Sequence, residues 1–157
     1  MSQDEVNRYL NFSLGEEEFA IPLLSVKEVI AVPETTPISH TPPHFLGIMN
    51  LRGQVISVID LRKKFSINTK NTEETSVIIL DLKNHFLGVV VDSVTSVLAI
   101  KNSDILEKPM IESSKSTEYI TGVFRKNEHL VLLLDIFKTL SQEDKSVISK
   151  SATKAAA

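Results

Sequence analysis

The sequence predicts a mostly β protein built from two small lobes, each closed as a barrel. Three observations lead to this prediction: short alternating runs rich in Val, Ile and Thr, turn residues between those runs, and an internal repeat. The chain has 157 residues, which suits one domain or two small lobes. Closing each lobe would remove the free strand edges that otherwise promote aggregation.

The internal repeat is the main argument for two lobes. Two pairs of segments align: GIMNLRGQVISVIDLRKKF (47–65) with GVFRKNEHLVLLLDIFKTL (122–140), and SVKEVIAV (25–32) with SVTSVLAI (93–100). Phe19 aligns with Phe86 one position out of the second register. Both copies contain a strand, a glycine-led hairpin, an aspartate and a short helix in the same order. We therefore predict lobe one over residues 8–66 and lobe two over residues 76–140.

The first predicted hairpin lies near the N-terminus. YLNFSLG alternates polar and apolar residues, which is typical of a half-buried strand. Its apolar face holds Leu10, Phe12 and Leu14. A turn at Gly15-Glu16 leads into the partner strand EEFAIPL, where Pro22 belongs at a strand end because it has no N–H to donate.

The rest of lobe one follows from local patterns. LLSVKEVI predicts one helical turn that runs into a strand, because its apolar spacing is helical but the segment is short and ends in β-branched residues. The proline-rich residues 33–45 predict an extended connector. IMNLRGQVISVIDL predicts a hairpin with Arg52-Gly53 at the turn, and LRKKF a short helix.

Lobe two has a similar series of elements. SVIILDL and HFLGVVV predict a hairpin with Asn84 in a left-handed turn position, followed by the strand DSVTSVLAI. SSKSTEY predicts a loop, and YITGVFRKNEHLVLLLDIFKTL a third hairpin that ends in a helix. The tail, residues 142–157, has no apolar periodicity and is predicted to be disordered.

Composition excludes several classes of function. The chain has no cysteine, which excludes disulfides, thiolate catalysis and zinc-thiolate sites and is compatible with a reducing cytoplasm. The net charge is −3, and no basic stripe of the kind that binds nucleic acid is visible. No signal-peptide pattern is present, and no apolar run approaches the roughly 20 residues that cross a bilayer. We expect a soluble protein with no direct membrane insertion.

Candidate catalytic residues are few. His40 and His44 have the spacing of two metal ligands on a helix, but the prolines between them favour a solvated loop. Asp60 and Asp135 occupy matching places before the two short helices, where they could form an acid/base pair or act as N-caps. The repeat favours capping, because each copy has its own aspartate. We predict no enzyme activity, no metal and no cofactor.

The residues that the scaffold does not require are the better candidates for function. The first copy has NLRG at its hairpin tip where the second has RKNE, and KE after the bend where the second has TS. Arg52 at such a tip can be solvated filler or can bind a carboxylate or backbone carbonyls of a partner. Glu28 can likewise be a solvent-facing strand residue or a contact residue.

These segments resemble the CheW chemotaxis coupling proteins, and the resemblance extends from Tyr9 to Leu140. It implies two five-stranded SH3-like barrels and no catalytic activity. It also implies an adaptor in the cytoplasm, recruited to membrane-associated receptor arrays. There it would bridge the cytoplasmic tips of transmembrane chemoreceptors to the regulatory domain of the histidine kinase CheA.

The resemblance also implies a set of partner-binding residues. The family's motif arginine falls on Arg52, within the run Asn50-Leu51-Arg52-Gly53, and its motif valine and glutamate fall on Val26 and Glu28. A departure from the family pattern is Ser57, where many members have proline. The alternative interpretation of the same scaffold is a barrel protein that binds a small molecule in the groove between its lobes.

Overall fold

The computed structural model describes residues 5–83, 85–106 and 119–155. Within these residues, eleven strands form a six-stranded and a five-stranded sheet. The strands are β1 (Val6–Leu14), β2 (Glu17–Pro22), β3 (Val26–Ala31), β4 (Phe45–Leu51), β5 (Gln54–Asp60), β6 (Ser76–Asp81), β7 (Phe86–Val91), β8 (Ser93–Lys101), β9 (Ile105–Leu106), β10 (Ile120–Lys126) and β11 (His129–Leu134). The helices are α1 (Leu61–Lys64), α2 (Ile136–Thr139) and α3 (Gln142–Ala155), with 3-10 turns at Leu23–Ser25 and Asn102–Asp104.

The predicted fold class is confirmed, since the protein is mostly β and its strands form two sheets. The six-stranded sheet has the order β8-β1-β2-β11-β10-β9, and the five-stranded sheet the order β3-β6-β7-β5-β4. Neighbouring strands are antiparallel except for the parallel pairs β2–β11 and β5–β7. The predicted turn at Gly15-Glu16, the end of β2 at Pro22 and the short turn before β3 are all observed.

The two sheets do not follow the predicted lobe boundaries, residues 8–66 and 76–140. Strands β1 and β2 join the six-stranded sheet with β8–β11, whereas β6 and β7 join the five-stranded sheet with β3–β5. The repeat aligns β3 with β8, β4 with β10 and β5 with β11, and the strand orders of the two sheets then coincide. The repeat in sequence is therefore also a repeat in structure, but the first hairpin of each copy pairs with the remaining strands of the other copy.

The two ends of the five-stranded sheet lie close together. Thr36, in the connector after β3, exchanges two backbone hydrogen bonds of 2.8 and 2.9 Å with Ile48 in β4. Gly47 makes this approach possible, because a Cβ built on it would lie 2.1 Å from the carbonyl oxygen of Thr36. The connector thus joins β3 to β4, which are the outermost strands of this sheet.

Many strands are buried on both faces, which explains their near-continuous apolar runs. In β6, Ile78 and Leu80 belong to a core shared by both sheets, which we call the shared core. Val77 and Ile79, on the other face of β6, belong to a smaller cluster inside the five-stranded sheet, the interior cluster. A third cluster lies on the other face of the six-stranded sheet and contains Ala20, Ile100, Val131 and Leu133.

Asp60 and Asp135 cap α1 and α2, as the repeat predicted. The Asp60 side chain accepts a hydrogen bond from the backbone N–H of Arg62 at 2.9 Å. The Asp135 side chain accepts one from the backbone N–H of Lys138 at 3.3 Å. The two aspartates therefore have a structural role in their own helices.

The prediction of a disordered tail over residues 142–157 is wrong for most of that segment, because α3 spans Gln142–Ala155. Its first turn is closed by reciprocal hydrogen bonds: Asp144 accepts from the Ser141 N–H, and Ser141 Oγ accepts from the Asp144 N–H, each at 3.0 Å. Ile148 is buried in the shared core. The helix depends on these tertiary contacts, since its own sequence is largely polar.

Two predicted features fall outside the described residues, namely Asn84 in its turn and residues 113–118 of the SSKSTEY loop. Lys83, beside Asn84, has a φ of 77°. None of the described helices is long and apolar enough to cross a bilayer.

Candidate functional site

The tip of the β4–β5 hairpin has a fixed backbone shape. Arg52 and Gly53 both have positive φ, 50° and 88°, as a two-residue hairpin turn of type I′ requires. Asn50 Oδ1 accepts a hydrogen bond from the backbone N–H of Gly53 at 2.9 Å. Asn50 and Gly53 therefore shape the turn, and the turn holds Arg52 in a defined direction.

Arg52 and Glu28, two of the predicted partner-binding residues, contact each other directly. The Arg52 guanidinium donates a hydrogen bond from Nη2 to Oε1 of Glu28, which lies on β3. The Arg52 side chain is 64% exposed and that of Glu28 is 29% exposed. An ion pair this exposed contributes only about 0–1 kcal/mol to stability, so the fold does not depend on it.

The other two predicted partner-binding residues, Val26 and Leu51, lie in different parts of the surface. Val26 is half-buried against the shared core, at the start of β3. Leu51 is half-buried against the interior cluster of the five-stranded sheet. Their positions indicate mainly packing roles, with only part of each side chain open to a partner.

Sequence reasoning missed a lysine beside this ion pair. Lys27 Nζ lies 4.1 Å from the centroid of the Phe86 ring, which is a cation–π distance. A cavity of about 170 Å³ lies next to this contact and is lined by Lys27, Leu51, Arg52, Gln54, Ile56 and Phe86. The repeat could have pointed to Lys27, because the charged dipeptide Lys27-Glu28 aligns with the uncharged Thr95-Ser96 in the second copy.

A larger cavity of about 710 Å³ lies between the two sheets. Its lining residues come from both sheets and from α2: Tyr9, Ile21, Pro22, Ser25, Leu80, Asp81, Leu82, Lys83, Thr121, Leu134, Asp135, Ile136 and Phe137. Burial raises the pKa of Tyr9 in this wall, so its hydroxyl stays protonated at neutral pH. Phe137 is 52% exposed, and Lys145 Nζ of α3 lies 4.3 Å from its ring centroid.

A buried arginine fixes the junction behind the hairpin. Arg62 is 2% exposed; it donates to Asp60 at 3.0 Å, to Asp92 at 3.1 Å and to Asn71 at 2.8 Å. The hydrogen bond to Asp60 raises the pKa of Arg62 despite its burial. Asp92 also accepts from the backbone N–H of Gly15 at 2.6 Å, so this network joins the two sheets.

The two histidines with the spacing of metal ligands, His40 and His44, lie in other surroundings. His44 is not solvated as predicted, because its Nε2 lies 2.7 Å from Asp144 Oδ1 and its side chain is 14% exposed. His40 has a φ of 62° and lies in the turn of the connector. Among the described residues, no three His, Asp or Glu side chains are grouped as a metal site would need.

Comparison with known proteins identifies the family. The family profile described as the CheW-like domain matches residues 8–144. The chain is 37% identical over 145 residues to a chemotaxis protein CheW of Klebsiella aerogenes, covering 92% of this chain and 87% of that protein. It is 32% identical over 146 residues to a chemotaxis protein CheW of Treponema pallidum, covering 90% and 86%.

A solved structure agrees with these sequence relatives. The crystal structure of the scaffolding protein TtCheW from Thermoanaerobacter tengcongensis superimposes with a TM-score of 0.79 at 28% identity. The superposition covers 87% of this chain and 89% of that chain. The chain therefore belongs to the CheW-like domain family.

Proposed function

We propose that this protein is a non-catalytic adaptor that couples transmembrane chemoreceptors to the histidine kinase CheA. Its relatives are named as chemotaxis proteins, and its structural neighbour is named as a scaffolding protein. The observation that carries the proposal is the exposed ion pair of Arg52 and Glu28. The pair adds little stability, and the second copy of the repeat has Asn127 and Ser96 in its place, so binding is the better reason for it.

An adaptor needs two surfaces in fixed relative positions, and this fold offers two. One is the Arg52 hairpin with β3, where Val29 is 40% exposed beside Glu28. The regulatory domain of the kinase would pack there, barrel against barrel, with an apolar centre and a polar rim. The other is the 710 Å³ cavity between the sheets, which would take the helical hairpin tip of a receptor.

In this proposal the adaptor acts in the cytoplasm and joins membrane-associated receptor arrays through its partners. Each contact can be weak, because an array repeats the contact many times and gains avidity from repetition. The adaptor needs no metal, cofactor, nucleic acid or membrane insertion for this role.

The test is a charge reversal at the hairpin tip. Purified Arg52→Glu is mixed separately with the kinase regulatory domain and with a receptor cytoplasmic fragment, and binding is measured by pull-down and calorimetry. We expect a folded variant that binds at least one partner more weakly. Arg125→Glu is the matched control, since Arg125 is exposed on β10 near the corresponding tip of the second copy.

A double variant, Arg52→Glu with Glu28→Arg, separates the ion pair from the contact with the partner. The double variant can form the same ion pair with the two charges exchanged. It therefore restores binding if the pair acts only by holding the hairpin tip in shape. Loss of binding that persists in the double variant indicates that the partner contacts these charges directly. If Arg52→Glu binds both partners as tightly as the wild type, the site assignment is wrong.

A second candidate function is the binding of a small molecule in the cavity between the sheets. The observation that favours it is the cavity volume of about 710 Å³, which lies within the range of roughly 300–1,000 Å³ typical of ligand pockets. A thermal-shift screen with a panel of metabolites tests it. A true ligand raises Tm progressively as its concentration increases, whereas a pure adaptor shows no such shift.

A further inference from the structure

The cavity beside the Arg52 hairpin is small and positively charged. Its volume of about 170 Å³ is below the roughly 300–1,000 Å³ of typical ligand pockets, so it suits a single side chain rather than a free metabolite. Two of its six lining residues, Lys27 and Arg52, are cations, and none is an acid. The cavity therefore favours an anionic group.

Both cations keep hydrogen-bond donors available. Arg52 has five N–H donors, and its hydrogen bond to Glu28 uses one of them. Lys27 has three N–H donors and no hydrogen bond or ion pair to any of the described residues. Contact with the Phe86 ring holds the Lys27 side chain in place, and the ion pair with Glu28 holds that of Arg52. Little conformational entropy is therefore lost when the two side chains bind a ligand.

The floor of this cavity is apolar. Ile56 is 2% exposed, and Phe86 and Leu51 pack against the same interior cluster. Such a floor lowers the local dielectric and can cover the methylene groups of an entering side chain. A charge pair that forms above it is stronger than the same pair in open solvent.

The six-stranded sheet shows what occupies the corresponding place. Ser57 pairs with Leu87 in the five-stranded sheet, and its counterpart Leu132 pairs with Phe19 in the six-stranded sheet. Glu18, not Phe19, therefore corresponds to Phe86. At that end of the six-stranded sheet, Glu18 Oε1 lies 3.9 Å from Lys126 Nζ, so this sheet has a carboxylate beside its own cation.

The five-stranded sheet has Phe86 in place of Glu18. The nearby carboxylate of Glu28 pairs with Arg52 and not with Lys27. Thr95 and Asn127 stand in the second copy where the first has Lys27 and Arg52. Resting on the adaptor function above, we propose that a partner protein supplies a further acid, which pairs with Lys27 and shares Arg52 with Glu28. A glutamate or aspartate side chain of the partner enters the 170 Å³ cavity and binds between Lys27 and Arg52, above Phe86.

The test uses neutralisation of Lys27, which leaves the pair of Arg52 and Glu28 intact. Affinities of the full-length wild type and of Lys27→Gln for the purified kinase regulatory domain and the receptor cytoplasmic fragment are measured at low and high salt. We expect Lys27→Gln to bind one of them at least about fivefold more weakly, with a smaller dependence on salt. Lys101→Gln, on the exposed face of β8, is the matched control and binds as the wild type does.

A charge swap with the partner identifies the acid. Lys27→Glu loses binding, and one Glu→Lys or Asp→Lys substitution in that partner restores it. If the wild type binds but Lys27→Gln binds equally well, the cavity proposal is wrong and the adaptor function stands. If the wild type binds neither partner, both proposals are wrong. Melting temperatures of all variants exclude loss of binding through unfolding.

Discussion

The imidazole of His44 lies 2.7 Å from the buried carboxylate of Asp144, and this contact joins the connector before β4 to the C-terminal helix α3. Asp144 is completely buried and has a second partner, the ammonium group of Lys64 of α1, also at 2.7 Å. A carboxylate only accepts hydrogen bonds, so His44 donates from Nε2. The docking of α3 thus combines one buried ionised group with the apolar contact of Ile148.

The pH dependence of stability follows from this arrangement. Burial by itself would raise the pKa of Asp144, but hydrogen bonds from Lys64, the Ser141 N–H and His44 outweigh burial and leave that pKa lowered. A lowered pKa contributes stability above the unfolded-state pKa of about 4, and this stability is lost as the pH falls through the folded-state value. We expect the stability advantage of wild type over Asp144→Asn in urea unfolding to be full at pH 6 and to vanish on acidification below about pH 4. An advantage that stays constant or grows on acidification would contradict this account.

The two arginines near the hairpin, Arg62 and Arg52, should contribute very differently to the free energy of unfolding. Arg62→Ala leaves Asp60 and Asp92 without their buried cation, so we expect a loss of about 3–5 kcal/mol in the free energy of unfolding. Arg52→Ala removes only an exposed ion pair and should change that free energy by less than about 1 kcal/mol. Urea denaturation of both variants measures the difference. Similar losses for the two variants would show that burial is not the deciding factor.

Two glycines provide a matched pair for backbone strain. Gly53 has a φ of 88° and open space around its missing Cβ, so Gly53→Ala should cost about 1–2 kcal/mol from the backbone conformation alone. Gly47 has a φ of 134°, and a Cβ there would clash with the backbone of Thr36, so Gly47→Ala should cost more than about 3 kcal/mol. Thermal and urea unfolding check this order. The reverse order would contradict the close approach of the connector to β4.

The exchange of hairpins predicts how fragments behave. A cut after residue 70 separates β1–β5 from β6–β11, so neither fragment contains a complete sheet. We expect each fragment alone to be unfolded by circular dichroism and an equimolar mixture to regain the spectrum of the intact protein. The control is the intact protein with a protease site at the same position, which should stay folded after cleavage. Independent folding of the first fragment would argue for the contiguous lobes that the sequence suggested.

Local elements of this fold could be predicted from sequence, and long-range pairings could not. The hairpin turn at Arg52-Gly53 and the caps at Asp60 and Asp135 depend on neighbouring residues, so their patterns are visible in the chain. The exchange of hairpins depends on which strand pairs with which. Alternation of apolar residues does not encode that choice, least of all in strands buried on both faces.

The tail and the site show the same limit. Helix α3 has a polar sequence and is held through Asp144 by residues far away in the chain, although the spacing of Ser141 and Asp144 was a visible capping signal. The repeat and the family resemblance singled out Arg52 and Glu28 separately. Their contact could not be predicted, nor could the position of Phe86 under Lys27, because each depends on how the five-stranded sheet is assembled.

Within the described residues, the strands of one sheet follow those of the other at two places, the 3-10 turn Leu23–Ser25 and the single residue Asp92. Helix α3 follows the six-stranded sheet but packs against β5 of the five-stranded sheet, and Asp92 accepts hydrogen bonds from both Arg62 and Gly15, so the two sheets are joined at further points. Any widening of the cavity between the sheets would have to break some of these contacts. The Arg52 hairpin and the cavity are thus carried on two sheets that are braced against each other, which suits a protein that must hold two surfaces at a fixed distance.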